Sequence, residues 1–368
     1  MQAIKIHATD TLFFRDTRPF NRGEQTEASG IFPPYPSTIY GSLYGRYFAE
    51  NPELFTQVNL SKSPELAVTN CCIGIDNTPC TPLPLDLLEQ EDQLSFLVPE
   101  QAPHANINLS HILTAANKDV NKKTDGTPYF SFQALADYLT GNNPSYDSKY
   151  DLTEYFTREL KPGIRVDANS GTVDPLQGEL YYLDFYRPEA YKKIDYEEIN
   201  TNTMHFHVEF EGIPLKEQGN LKLGGEGKTA IYEAANNIQE PTFPLDDSDT
   251  YFKMYIATPA LFQNGWLPEW VDPEKLEGTV YGVKLKLVTA ATGKPQLIGG
   301  FDMVKKEPKP LKKAVPAGSI YIFKVEGGNP SELSAIHAKC ISDERYQEGF
   351  GKTYLGKLSN EQLKALKQ

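Results

Sequence analysis

Residues 10–46 read DTLFFRDTRPFNRGEQTEASGIFPPYPSTIYGSLYGR, and the way this stretch is read decides the fold. It joins a short alternating strand, with Ile4, Ile6 and Ala8 on one face, to an amphipathic helix. The connection is a long loop in which Arg15, Arg18 and Arg22 are interleaved with Phe13, Phe14 and Phe20. Guanidinium forks suit phosphates and flat rings suit unstacked bases, so the loop has the composition of a single-stranded nucleic-acid site. Pro33, Pro34 and Pro36 stiffen the approach to Ser37, which reads as the N-cap of a helix carrying Ile39, Leu43, Tyr40, Tyr44 and Tyr47. The free N–H groups of that helix would face the arginines and favour an anion. A plainer reading of the same residues pairs the arginines with Asp16, Glu24 and Glu27 on their own domain.

The chain has 368 residues, enough for two domains, and its 39% hydrophobic and 11% aromatic content is that of a globular protein. A formal charge of −13 excludes a protein that coats nucleic acid over its whole surface. The charge is segregated. No Lys or Arg falls between Ser63 and Asn117, whereas Lys305, Lys306, Lys309, Lys312, Lys313 and Lys324 outnumber Asp302 and Glu307 further on. The N-terminus reads straight into a strand, and no apolar run is long enough to span a membrane, so a cytoplasmic protein without membrane contact is expected. Cys71, Cys72, Cys80 and Cys340 lack metal-ligand spacing and read as small buried residues, so no metal or other cofactor is expected.

Further along, residues 66–75 (LAVTNCCIGI) read as a buried strand. Residues 89–150 read as an insertion with one helix near Phe132–Leu139. GIRVDANSGTV (163–173) reads as a hairpin unit, and ELYYLDFYR (179–187) as a strand. In MHFHVEFEG (204–212) the alternation places Met204, Phe206, Val208 and Phe210 inside and His205, His207, Glu209 and Glu211 toward solvent. LKLGGEGKTA (221–230) ends like a phosphate-binding P-loop, but Lys222 stands where that loop needs a glycine, which argues against nucleotide hydrolysis. The polar, proline-containing stretch 236–249 is the linker candidate. Beyond it come strands at 251–258 and 317–327, a Pro-Trp loop with Trp266 and Trp270, and the glycine-rich ERYQEGFGKTYLGKL (344–358). Ser359 with Gln362 makes a capping box for a last helix.

LFFRDTRPF, the glutamate-containing loop and FPPYPSTIYGSLYG, followed by two glycine-rich loops, resemble the third subunit of the Cmr-type (type III-B) CRISPR effector complex, in the RAMP superfamily and its Cas5-like group. The resemblance implies an α+β chain of two ferredoxin-like (RRM-like) domains with glycine-rich loops and an inserted segment. The boundaries would be 1–240, with the insertion around 89–150, and 241–368. It implies a non-catalytic subunit that holds the 5′ handle of the guide crRNA and docks on the large palm-domain, polymerase-like subunit and on the adjacent backbone RAMP subunit. RNA contacts are then expected at Arg15, Arg18, Phe20, Arg22 and Ser37. The two glycine-rich loops would add Lys222, Gly225, Lys228, Arg345, Gly349, Gly351, Lys352 and Lys357. Two alternatives stay open. A repeat-RNA endoribonuclease would need a placed acid or base, and the six histidines show no partner pattern. A purely structural adaptor would use the basic residues against protein.

Overall fold

A computed structural model describes residues 1–17, 27–53, 65–90, 92–101, 108–116, 126–164, 166, 170–173, 180–194, 197–302 and 307–367. In chain order the first half contains β1 (Gln2–Ala8), α1 (Pro36–Glu50), β2 (Ala67–Ile75), β3 (Thr78–Pro82), β4 (Pro128–Ser131), α2 (Phe132–Leu139) and β5 (Lys149–Asp151). It continues with β6 (Thr157–Ile164), β7 (Leu180–Arg187), β8 (Glu197–Glu211), β9 (Gln218–Lys222) and β10 (Thr229–Ala234). The main sheet runs in the order β5-β4-β3-β2-β8-β1-β10-β9, with every ladder antiparallel. Period-2 alternation sets its register: Ile4 faces Val208, and Ile6 faces Phe206 on one side and Tyr232 on the other. Ile39 and Leu43 of α1 pack onto this apolar face with Val68, Ile73 and Phe210.

The second half contains β11 (Tyr251–Ile256), β12 (Glu277–Val280), β13 (Val283–Ala291), β14 (Gln296–Ile298), β15 (Lys312–Ala314), β16 (Ile320–Gly327), β17 (Lys339–Cys340), β18 (Lys352–Gly356) and α3 (Asn360–Leu366). Its sheet is also antiparallel, in the order β12-β13-β16-β11-β18-β17, and β14 pairs with β15 as a separate hairpin. Phe252, Met254, Leu287, Phe323 and Leu355 form its core, with Trp266 stacked on Tyr321 and Trp270 against Phe323. The chain is α+β and mostly sheet. Between the strands of the second sheet the described residues form turns, short hairpins and two 3₁₀ segments, Pro330–Ile336 and Tyr346–Glu348, where a ferredoxin-like unit would carry α-helices.

Three expectations change here. Residues 128–151 of the presumed insertion supply β4, α2 and β5. Phe130, Leu135 and Tyr138 pack with Tyr255, Ile322, Tyr354 and Leu358 in a core shared by both sheets. The presumed linker is a strap: the Ile238 N–H donates to Glu209 Oε1 (2.6 Å), Glu240 binds Lys352, and Leu245 enters the second core. His205, His207 and Glu209 are buried (4%, 7% and 3% exposed), not solvent-facing. β8 is an interior strand with β1 and β2 on its flanks, and its second face is closed by the strap and by neighbours such as Gly74 and His7. No helix among the described residues is long and apolar enough to cross a membrane.

Candidate nucleic-acid interface

The base of the arginine loop is zipped shut by backbone. Arg15 bridges Gly30, the Asp16 N–H donates to Ser29 O (3.0 Å), and the Ile31 N–H to Phe14 O (2.8 Å). Phe13 and Phe14 are 3% exposed. Phe13 packs against Phe185, and Phe14 against Phe32 and Phe206, so these rings are core and not a stacking platform for bases. Arg15 remains exposed at the foot of the loop. Arg18, Phe20 and Arg22 lie outside the described residues.

The helix start also differs from expectation. The N-cap of α1 is Tyr35, Pro36 takes the first helical position, and no side chain caps the helix. Proline prevails because its φ is already helical and it has no N–H to leave unpaired. Ser37 therefore sits in the first turn, beside the open N–H groups.

Arg15, Asp16, Thr17, Tyr35, Ser37 and Thr38 form one wall of a cleft of about 580 Å³. The other wall is the end of β14 and the return strand: Gly299, Gly300, Pro308, Lys309 and Leu311. The Lys309 N–H donates to Gly300 O (2.9 Å), which keeps that wall narrow. Arg345 closes its far side, donating from Nη1 to Gly299 O (3.2 Å) while its fork holds Glu348 at 2.9 and 2.6 Å. Lys309 Nζ is 3.9 Å from the same carboxylate. Two cations that face solvent, Arg15 and Lys309, thus flank the N-terminus of α1, and Arg345 is held at its edge by an acid. Lys309, Tyr35, Thr38 and the Gly299-Gly300 pair are not predicted as site residues. The basic run 305–313 was the available signal for Lys309, but nothing in it says which lysine turns toward the cleft.

The first glycine-rich loop sits elsewhere, over Phe13. The Gly225 N–H donates to Phe13 O (2.8 Å), and the Leu223 N–H to Lys228 O (3.0 Å), so the loop is closed by its own chain. Lys228 pairs with Asp10 at 3.0 Å and lies 5.0 Å from the Phe185 ring centroid. The Asp10 carboxyl is held below its usual range by the Thr11 backbone N–H and by Lys228. Lys222 is exposed, with no ion pair among the described residues.

The second glycine-rich loop corrects the expectation most. Lys352 is 3% exposed, and its Nζ reaches Glu240 Oε1 (2.6 Å), Ala338 O (2.8 Å) and Thr69 O (3.1 Å). All three donors are used inside the protein, and none is left for phosphate. Gly351 has φ +75°, donates its N–H to Pro259 O (2.8 Å), and lies so close to Ser342 that a Cβ would strike its backbone nitrogen. The close approach expected of an RNA phosphate is made by the protein's own chain. A Cβ on Gly349 would lie 3.0 Å from Val68 and 3.3 Å from Pro36, so this loop packs beside the start of α1. Lys357 pairs with Asp246 (2.7 Å) and Asp249 (3.2 Å), on the strap side of the molecule. Of the expected residues, then, Arg15, Ser37 and Arg345 meet around one cleft. Lys222, Gly225 and Lys228 belong to a second surface.

Three of the described histidines, His205, His207 and His337, are buried. Burial pushes His205 down to about 4, and His207 downward, so both are neutral near pH 7. The His337 Nδ1 accepts from the Leu355 N–H (3.1 Å), which leaves Nε2 to donate to Pro241 O (2.9 Å). Among the described residues no group of three His, Cys, Asp or Glu side chains is arranged to hold a metal.

The family model of the CRISPR-associated protein Cas_Cmr3 matches residues 4–358. The chain belongs to the Cmr3 family. No curated protein matches it. Among solved structures, the Cmr3-family chain is similar to a chain of the cryo-EM structure of the type III-B Cmr-beta complex bound to cognate target RNA. That pair shares 17% identity over 94% of this chain and 92% of that one, with a TM-score of 0.47. It is also similar to a chain of the crystal structure of the Csm3-Csm4 subcomplex of the type III-A CRISPR-Cas interference complex. There the identity is 12%, over 89% of this chain and 93% of that one, with a TM-score of 0.37.

Proposed function

We propose that this Cmr3-family chain is a non-catalytic subunit of a type III-B CRISPR ribonucleoprotein, and that it holds the 5′ handle of the guide crRNA in the cleft between Arg15 and Lys309. One observation supports this reading: Arg15, exposed at the foot of the loop, Lys309, whose only ion pair among the described residues is a long one to Glu348 (3.9 Å), and an uncapped helix N-terminus line a single groove. The strand would enter backbone first, with Arg15 forking a phosphate and Lys309 supplying a point charge opposite. In this reading the two sheets are diverged ferredoxin-like halves, near 1–240 and 241–368. The remaining surfaces dock on the large palm-domain subunit and on the adjacent backbone subunit.

A second reading has its own support. Lys228, Arg345, Lys352 and Lys357 are all ion-paired within the chain, as they would be in an adaptor that touches only protein. Salt dependence separates the two. In single-stranded RNA binding each neutralised phosphate contributes about −0.7 to the slope of log affinity against log salt. Arg15→Ala should weaken binding and make the slope shallower by about that amount, with an unchanged melting temperature. An unchanged slope and affinity would favour the adaptor.

A further inference from the structure

At the Gly299-Gly300 wall of the cleft, one carboxylate is shared by two cations, Arg345 and Lys309. We infer that Glu348 is a built-in competitor of the RNA backbone: in the free chain it holds Lys309 back from the cleft, and an incoming strand takes that lysine from it. The inference rests on the reading of the cleft as an RNA interface and adds what sets its affinity.

The acid is fixed by its own backbone. Glu348 ends the 3₁₀ turn Tyr346–Glu348, its N–H donates to Arg345 O (2.9 Å), and the turn is bracketed by Arg345 at φ +58° and Gly349 at φ +95°. Arg345 Cζ lies 5.1 Å from the Phe350 ring centroid, and its fork donates to both carboxylate oxygens, to Oε1 at 2.9 Å and to Oε2 at 2.6 Å. A bidentate pair of this kind satisfies the carboxylate without further help. Lys309 is held much less firmly. Its Nζ is 3.9 Å from Oε1, beyond hydrogen-bond reach, and its side chain is 41% exposed. An exposed pair at that distance adds little to stability, so the lysine can leave it at little cost.

Position decides which member of the trio moves. Lys309 lines the cleft, whereas Arg345 and Glu348 do not, so the lysine on its flexible stem is the one that can turn either way. No side chain at Gly300 stands between them: a Cβ there would lie 3.5 Å from Lys309 Cδ and 4.0 Å from Arg345 Nη2. Around the cleft the described charges are Arg15, Lys309 and Arg345 against Asp16 and Glu348. One carboxylate therefore changes the local balance strongly. At about 4 Å in water a unit charge shifts an equilibrium about fivefold.

The test is RNA binding by the full chain, read as the anisotropy of a labelled oligo(U) strand over a range of salt. Glu348→Gln should tighten binding about fivefold at low salt and steepen the slope of log affinity against log salt by about 0.7, the share of one phosphate. Lys309→Met should cost about twofold in the wild type and about tenfold in the Glu348→Gln background, because the two residues are coupled. Glu348→Gln also leaves Arg345 without its counter-ion, so a second variant combines Arg345→Gln with Glu348→Gln. It removes both charges, keeps the local balance of the wild type and still releases Lys309. There, too, Lys309→Met should cost more than in the wild type. Suppose that Arg15→Ala weakens binding but Lys309→Met costs the same in all three backgrounds, or that Glu348→Gln folds and binds RNA more weakly. Glu348 is then only a strut of the wall, and the inference is refuted with the cleft retained. If neither Arg15→Ala nor Lys309→Met weakens binding in any background, the cleft reading fails first and this inference falls with it.

Discussion

Lys253 is a buried lysine without a counter-charge in contact among the described residues. It is fully buried, its Nζ has no hydrogen-bond partner among the described residues, and it lies 3.4 Å from the ring centroid of Tyr138 and 4.3 Å from that of Phe96. Desolvation pushes its pKa down to about 7, and nearby Asp86 opposes the shift only in part. In the unfolded chain the amine titrates near its ordinary value of 10.5. Between the two values the unfolded chain binds the extra proton, so stability rises with pH by about 1.4 kcal/mol per unit across that window. Below pH 7 both states are protonated and the full penalty is present. Lys253→Met should therefore stabilise the protein at pH 7, and the gain should shrink by pH 9. Urea unfolding of both proteins at the two pH values measures it, and a pH-independent difference would show that Lys253 is not titrating in the core. The sequence contained no sign of this. YFKMYI reads as a strand with one polar position, and only the packing of α2 and Phe96 over it turns that position inward. Lys352 was hidden in the same way. GFGKTY has the look of an exposed turn, and its lysine finds Glu240 112 residues away in sequence.

At the scale of elements, local signals were legible wherever local chemistry decides. Ser359 caps α3, and its hydroxyl and the Gln362 side chain form the reciprocal capping box expected from their spacing. α2 occupies Phe132–Leu139 as read, with Ser131 accepting from the Ala134 N–H. Ser37 was misread because serine is the better cap in isolation, whereas Pro36 fits the first helical position and moves the start back to Tyr35. The two serines should thus behave differently. Ser359→Ala should cost about 1 kcal/mol in denaturant unfolding, and Ser37→Ala within about 0.5 kcal/mol of nothing. A comparable cost at Ser37 would mean that it caps α1 after all. The β8 strand marks the limit of alternation as a guide. Its apolar set was placed correctly, but an interior strand can bury polar side chains on its second face, and burial holds Glu209 above the usual carboxylate range there.

At the scale of the whole molecule, the two sheets, the strap 236–249 and the shared core under α2 bring residues 15, 37 and 309 to one groove. None of this is periodic, so no pattern in the sequence could reveal it. The resemblance at FPPYPSTIYGSLYG pointed to the family and to an RNA-facing edge. It could not separate a glycine that meets phosphate from one, like Gly351, that meets a neighbouring strand. A chain with net charge −13 can bind RNA only where local cations outweigh that field, and the cleft supplies two of them. The most direct measurement is photocrosslinking of guide RNA within the assembled effector complex, followed by peptide mapping. Crosslinks should fall on residues 15–17 and 35–38 on one wall and on 299–300 and 308–311 on the other. Crosslinks absent from both walls, with guide RNA mapped instead to the strap side around Lys357 or to another face, would contradict the account.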